Sequence, residues 1–322
     1  MMPSHMTAKT LLVTTAAFAI ATAAHAEDVK TKLTAPIRTS TIKNGTADAI
    51  SITKEGSVVL TTGTAVTQDS SHAVSTAGAI TITNADGATG ILSHAGANGD
   101  ITNTGTITID ETYTATDTDK DGDLDGPLAL GSGRNGIRIE GAHSGKLVQS
   151  GTIKVEGNDS AGVVLGGTLT GAFTHDGTTT VIGDRAIGVS AQGINGSVRL
   201  AGSVSAQGLN AIGARFAGDV NGAMVVQGTV ASTGYRYTAP PSDPSKLDAD
   251  DLLQGGSALL VEGNVTGGII LAAAPRTPIP RSRMKTAMDS RMPRKARPKS
   301  YPTAAQRRCR SDPPIATSAS GK

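Results

Sequence analysis

One glycine-terminated pattern occurs four times in the central part of the chain, at a nearly constant spacing. The four copies close in steps of 26, 26 and 25 residues, at Gly141, Gly167, Gly193 and Gly218. A second glycine precedes a short strand-like run in each repeat and keeps the same period, at Gly151, Gly177, Gly202 and Gly228. A fixed period of this length is typical of a solenoid, in which each repeat is one structural unit.

The composition of the repeat indicates strands. Each copy contains short runs of Val, Ile, Leu and Thr separated by Gly, Asn, Asp and Ser, which favours strands and turns over helices. Alternation is visible where Ile153 and Val155 share one face of a run and Lys154 lies on the other. A propeller blade needs ~40–45 residues, whereas a repeat of about 25 fits one turn of a β-helix whose turns stack ~4.8 Å apart. The predicted fold is mainly β, a right-handed parallel β-helix with a narrow aliphatic interior and with its glycines at sharp turns of positive φ.

Two insertions of about 20 residues interrupt the period, Glu111–Leu130 and Tyr235–Gln254. Each lengthens the spacing between closing glycines from about 25 to 45 residues. Each also begins after the strand that follows the second glycine of its repeat, Gly105 in one case and Gly228 in the other. We therefore predict that both loops project from the same corner of the solenoid, which is where solenoids often carry function.

The first part of the chain divides into a leader and an acidic domain. Residues 1–26 contain Lys9, an apolar stretch from Leu11 to Ala24 and a small-x-small motif ending at Ala26, so they are predicted to be a signal peptide. Residues 27–274 carry 15 Lys/Arg against 25 Asp/Glu and no Cys, and are predicted to form the β-helical domain. An acidic solenoid argues against binding to nucleic acid.

Residues 275–322 have a different composition, with 8 Pro, 13 Lys/Arg and only 2 Asp/Glu. We expect this basic, Pro/Arg-rich tail to be disordered and to be translated out of frame. Methionine has the single codon ATG, so in the −1 frame the codons after Met284, Met288 and Met292 would begin with G. That frame permits an acidic, glycine-containing sequence like the domain before it, which points to a frameshift or a truncation.

An Asp-rich string inside the first insertion is the most specific candidate site. It has alternate aspartates around Gly122, similar to the first half of an EF-hand calcium loop, and Leu128 stands at the twelfth position where that loop has a bidentate Glu. Calcium-binding repeats of the thrombospondin kind use a similar string without flanking helices. The alternative is a solvated acidic loop. We predict a weak Ca²⁺ site, with no other cofactor, whose ligands are Asp117, Asp119, Asp121 and Asp125.

The remaining polar residues form no catalytic pattern that we recognise. Four histidines lie on different repeats without metal-ligand spacing and are expected at the surface or in turns: His72, His94, His143 and His175. Enzymatic β-helices such as pectate lyases share the coil architecture, but no dense Asp/Lys/Arg cluster repeats across adjacent strands here. We predict a non-enzymatic protein. A secreted β-helical carbohydrate-active enzyme, of the polysaccharide lyase or hydrolase type, is the alternative.

A cleavable leader, an acidic solenoid without Cys and repeated GTI/GTV strands together resemble the passenger region of Gram-negative autotransporters (type V secretion). The resemblance implies export, passage through a C-terminal outer-membrane β-barrel of the same polypeptide, and display at the cell surface. The sequence departs from that family after Ala274, where no amphipathic strand series follows, so the barrel translocator is expected but absent from this chain. An intact product is expected at the cell surface or outside the cell, and a product truncated as given in the periplasm. The implied role is that of an adhesin or structural stalk, with a host or cell-surface glycan or protein as partner.

Overall fold

The computed structural model describes residues 26–120, 122, 124–237, 247 and 249–272. These residues form 26 strands joined by turns, with no helix among them and hence none that could cross a membrane. The chain divides into two units, Met1–Ala274 and Pro275–Lys322, and the description below concerns the first. The predicted signal peptide, apart from Ala26, and the predicted disordered tail lie outside the described residues.

The strands are short, most of them three to five residues long. In chain order they are β1 (Glu27–Val29), β2 (Lys32–Leu33), β3 (Ile37–Arg38), β4 (Ile50–Ile52), β5 (Ser57–Leu60), β6 (Thr64–Gln68), β7 (Val74–Thr76), β8 (Ala79–Thr83), β9 (Thr89–Ser93), β10 (Ile101–Asn103), β11 (Thr106–Asp110), β12 (Asn135–Ile139) and β13 (His143–Ser144). They continue with β14 (Leu147–Gln149), β15 (Thr152–Glu156), β16 (Ala161–Thr170), β17 (Phe173–His175), β18 (Thr178–Ile182), β19 (Ile187–Asn195), β20 (Val198–Leu200), β21 (Ser203–Gln207), β22 (Ile212–Phe216), β23 (Met224–Val226), β24 (Thr229–Thr233), β25 (Leu259–Val261) and β26 (Ile269–Leu271).

The strands assemble into three parallel sheets. The first sheet has the order β1-β4-β7-β10-β14-β17-β20-β23-β26, and the second has the order β2-β5-β8-β11-β15-β18-β21-β24. The third has the order β3-β6-β9-β12-β16-β19-β22-β25, with β13 beside β16. Successive strands of the chain enter different sheets, so the chain winds through about eight turns and each turn adds one strand to each sheet. The predicted parallel β-helix with two inserted loops is confirmed.

Alternate residues of each strand face the interior and stack on their equivalents in the next turn. In the second sheet Ile107 pairs with Ile153, and in the third sheet Val163 pairs with Val189. All four side chains are 0% exposed. Burying an aliphatic side chain of this kind contributes about 1.5–3 kcal/mol relative to leaving it in water. These interior columns are therefore the core that holds the turns together.

A glycine precedes every second-sheet strand from β5 to β24, and close backbone stacking requires it. A Cβ atom added at Gly177 would lie 2.0 Å from the carbonyl oxygen of Gly151 in the preceding turn, and one at Gly202 would lie 1.9 Å from that of Gly177. Hard-sphere repulsion excludes so short a contact. Neither glycine is among the residues of positive φ. The expectation of positive φ is therefore wrong at this corner, where glycine is needed because it lacks a side chain. It is confirmed at the corner that follows the second-sheet strand, where Gly157, Gly183 and Gly208 have φ values of 156°, 146° and 143°.

One interior column is polar, which the sequence analysis did not predict. Equivalent buried positions at the ends of first-sheet strands are occupied by Thr76, Asn103, Gln149 and His175. Asn103 Nδ2 donates to Gln149 Oε1 at 2.6 Å, and His175 Nε2 lies 2.8 Å from Thr179 Oγ1. The expectation of surface histidines is wrong for His175 and also for His143, which is 2% exposed.

Burial of His175 links the stability of the fold to pH. Loss of hydration lowers the pKa of His175 below its ordinary value of 6.5. As the pH falls through 6.5, the unfolded chain therefore takes up a proton that the native chain does not, and the native state loses stability. Well above pH 6.5, the contribution of His175 to the free energy of unfolding does not change with pH.

We expect the denaturant midpoint of the wild type to fall between about pH 7.5 and about pH 5. His175→Leu introduces the residue found at the equivalent position Leu200, so this variant should lose that part of the pH dependence. Denaturation curves measured at several pH values check this. Identical pH slopes for the two proteins would show that His175 does not titrate as its burial requires.

Candidate functional site

Both insertions connect a strand of the second sheet to a strand of the third. The first insertion follows β11 in the fourth turn, and the second follows β24 in the eighth. At ~4.8 Å per turn, their points of departure are roughly 19 Å apart along the solenoid. The prediction that both loops project from one corner is therefore confirmed.

The two insertions are in direct contact across the turns that separate them. The amide of Leu124 donates a hydrogen bond to Tyr237 Oη at 2.9 Å. The amide of Gly126 donates to Asp250 Oδ2, also at 2.9 Å. Both donors belong to the first insertion and both acceptors to the second, so side chains of one loop hold the backbone of the other.

Contacts in the opposite direction complete the connection. The Arg236 guanidinium donates to the carbonyl oxygens of Gly126 and Pro127 at 2.8 and 3.2 Å. From the turn below, Gln207 Nε2 donates to the carbonyl oxygens of Tyr235 and Arg236. The described residues of the two insertions thus form one structure at this corner, which we call the loop bridge. The sequence predicted the common corner but not this contact.

A buried ion pair closes the base of the first insertion. Glu111 is the first residue of the insertion and Arg134 lies four residues beyond its last. Their side chains are 6% and 2% exposed, and Glu111 Oε2 lies 3.0 Å from Arg134 Nη1. Glu111 also accepts hydrogen bonds from the amides of Leu130 and Gly131 at 2.7 and 2.8 Å, and Arg134 donates to the carbonyl oxygen of Glu156 at 2.5 Å. A buried pair is tolerated when its remaining donors and acceptors have partners, as they do here.

Three of the four predicted calcium ligands lie together on the bridge. Oxygens that lie within 4.8 Å of one another come from Asp117, Asp119 and Asp125. Asp121 lies outside the described residues. Because Ca²⁺ binds oxygen at ~2.3–2.6 Å, oxygens at this separation can share one ion. The lysine in the string, Lys120, has a φ of 67° and its amide donates to Asp117 Oδ1 at 2.6 Å, which folds the string into a tight turn.

Asp125 supplies a negative charge to this group. Hydrogen bonds from the hydroxyl and amide of Thr118 lower the pKa of Asp125, so that its carboxylate is ionised at neutral pH. The Oδ1 atom of Asp125 is buried and has no hydrogen-bond partner among the described residues. The arrangement therefore offers an ionised oxygen to a cation, and the calcium site stays a prediction.

Comparisons of the chain with protein-family models, with curated proteins and with solved structures give no match. The function is therefore inferred from the geometry of the solenoid and of the loop bridge.

Removing the charge of Glu111 should release the first insertion. Glu111→Gln leaves the buried Arg134 guanidinium with only the exposed carboxylate of Asp86, 3.7 Å away, as a counter-charge, and we expect a loss of about 3–5 kcal/mol in local stability. Faster tryptic cleavage at Lys120 and a lower denaturant midpoint are the measurements. Asp86→Asn is the matched control, because Asp86 lies 3.7 Å from the same guanidinium but is 70% exposed, and such pairs contribute about 0–1 kcal/mol. Equal effects of the two substitutions would contradict the role given to Glu111.

We expect Ca²⁺ to bind the purified chain with a Kd on the order of 10⁻⁴–10⁻³ M, because carboxylates converge but the bidentate Glu is missing. Isothermal titration calorimetry should show binding that is lost when Asp117→Asn and Asp125→Asn are combined. Asp100→Asn neutralises an exposed carboxylate that pairs with Lys146, away from this group, and should leave binding intact. Absence of both heat and thermal stabilisation at millimolar calcium would refute the site.

Proposed function

We propose that this chain is the passenger region of an exported, autotransporter-like protein, in which the β-helix is a rigid stalk and the loop bridge is a binding surface. The observation that supports this is the bridge itself. Two insertions in an otherwise regular solenoid leave from the same corner and are joined by hydrogen bonds across four turn spacings. Insertions of a repeat protein are often its binding loops.

The regularity of the solenoid supports the stalk role. Each turn contacts its neighbours through three sheet ladders and through the interior columns, so stability accumulates along the repeats. Outward ion pairs also join turns, for example Arg185 with Asp159 at 2.6 Å and Arg215 with Glu262 at 2.8 Å. Exposed pairs contribute about 0–1 kcal/mol each, so the rigidity comes from the ladders and the core.

The chemistry of the bridge favours binding over catalysis. A glycoside hydrolase needs a carboxylic acid whose pKa is raised, so that it can protonate the leaving oxygen. The pKa of Asp125 is lowered instead, so Asp125 is unsuited to that role. The other polar groups that join the insertions, such as Arg236 and Asp250, are engaged with the backbone of the opposite loop. We therefore propose a non-enzymatic adhesin or stalk.

An attachment assay tests this proposal. Beads coated with the purified chain are expected to attach to members of a panel of immobilised glycans and cell-surface proteins. Tyr235→Ser combined with Leu252→Ser, two exposed positions on the bridge, should reduce attachment about tenfold. Leu271→Ser, at an exposed apolar position outside the bridge, is the matched control and should change nothing.

Two results would contradict the proposal. Attachment that is insensitive to the bridge substitutions would reject the bridge as the binding surface. Release of sugar fragments from a glycan by the purified chain would support the carbohydrate-active enzyme instead.

A further inference from the structure

Large exposed hydrophobic side chains concentrate on the loop bridge. Of the eight such residues in the described part of the chain, three form the last strand, Ile269–Leu271. The other five belong to the bridge and are Leu124, Leu130, Tyr235, Tyr237 and Leu252. Their exposure runs from 39% for Leu124 to 62% for Leu130. Single exposed apolar residues are ordinary, but a group of them on one structure marks an interaction surface.

The backbone that carries these side chains is already held in place. Leu124 is bonded through its amide to the hydroxyl of Tyr237, and the carbonyl of Tyr235 accepts from Gln207. The buried pair of Glu111 and Arg134 anchors the loop below them. A preformed surface loses little conformational entropy on binding, so a larger share of the contact energy appears as affinity.

The charge of the bridge selects the class of partner. The two insertions contain 10 Asp/Glu and 3 Lys/Arg, whereas residues 27–274 as a whole contain 25 and 15. The two insertions therefore contribute 7 of the 10 net negative charges in the sequence of that region. One of the three cations, Arg236, is engaged with the carbonyl oxygens of Gly126 and Pro127. The resulting negative potential attracts cationic partners and repels anionic ones.

We propose that the loop bridge binds a basic, amphipathic polypeptide segment in which Lys or Arg side chains alternate with apolar ones. The apolar side chains of the partner cover the exposed leucines and tyrosines. Its cations neutralise the carboxylates of the two insertions and stack on the rings of Tyr235 and Tyr237. A neutral glycan can stack on the tyrosines but brings no positive charge to the acidic insertions. This assignment names the partner for the binding surface proposed above and rests on that proposal.

Fluorescence anisotropy with the full chain tests the assignment. The probes are a labelled peptide of about 12 residues that alternates Leu with Lys or Arg, the same peptide with Glu in place of each cation, and a neutral oligosaccharide. We expect only the basic peptide to bind, and its affinity should fall at least about tenfold when NaCl rises from ~50 to ~500 mM. Tyr235→Ser with Leu252→Ser should weaken binding about tenfold, while Leu271→Ser should not. If the double variant melts below the wild type, Leu130→Ser, at a 62% exposed position, takes its place.

The assignment is overturned if the basic peptide does not bind, if the acidic peptide binds equally well, or if only the oligosaccharide binds and does so independently of salt. If the basic peptide does not bind but attachment of the coated beads still depends on the bridge, the partner class is rejected and the proposed binding role is retained. If the basic peptide does not bind and bead attachment does not depend on the bridge, the binding role is rejected as well.

Discussion

The contact between the backbone of each turn and the backbone of the turn before it governs this structure. At the corner before the second sheet, a Cβ on Gly177 would lie 2.0 Å from the Gly151 carbonyl oxygen, so turns can stack at ~4.8 Å only if glycine stands there. The same requirement recurs at this corner from the second turn, at Gly56, to the eighth, at Gly228. The period in turn places equivalent aliphatic residues in interior columns, and stability is the sum of these neighbour contacts.

The stacking also determines where additional chain can be accommodated. An extra residue within a strand would move the side chains that follow it from the interior face to the outer face. Extra residues at a corner leave the pairing register of the flanking strands unchanged. Because both insertions use the same corner, they extend over the same surface, and their polar groups meet. Leu124 and Tyr237, whose hydrogen bond joins the loops, are 113 residues apart in the sequence. A surface built in this way exists only in the folded solenoid.

Most of the fold could be predicted because stacking requires similar residue types at equivalent positions of successive turns, which produces a pattern that is visible in the sequence. The glycine spacing indicated the period, alternation around Ile153 indicated the buried face, and the ends of the insertions indicated their common corner. Contacts that occur once were not predictable. The pairing of Glu111 with Arg134 depends on closure of an irregular loop, and the burial of His175 depends on a column whose other members lie in separate turns. In the candidate site, the Asp string was visible as a local motif, but its contact with the second insertion was not.

Amide hydrogen exchange at Leu124 and Gly126 tests the loop bridge most directly, since the acceptors of both amides lie on the other insertion. We predict that both amides are protected in the wild type. Tyr237→Phe, which removes the acceptor hydroxyl, should accelerate exchange at Leu124, and Asp250→Ala should accelerate exchange at Gly126. The amide of Thr112, which donates to Asn84 Oδ1 at 2.8 Å, should keep its exchange rate in both variants. Unprotected amides in the wild type, or rates that neither substitution alters, would mean that the insertions are independent loops and that no bridge exists.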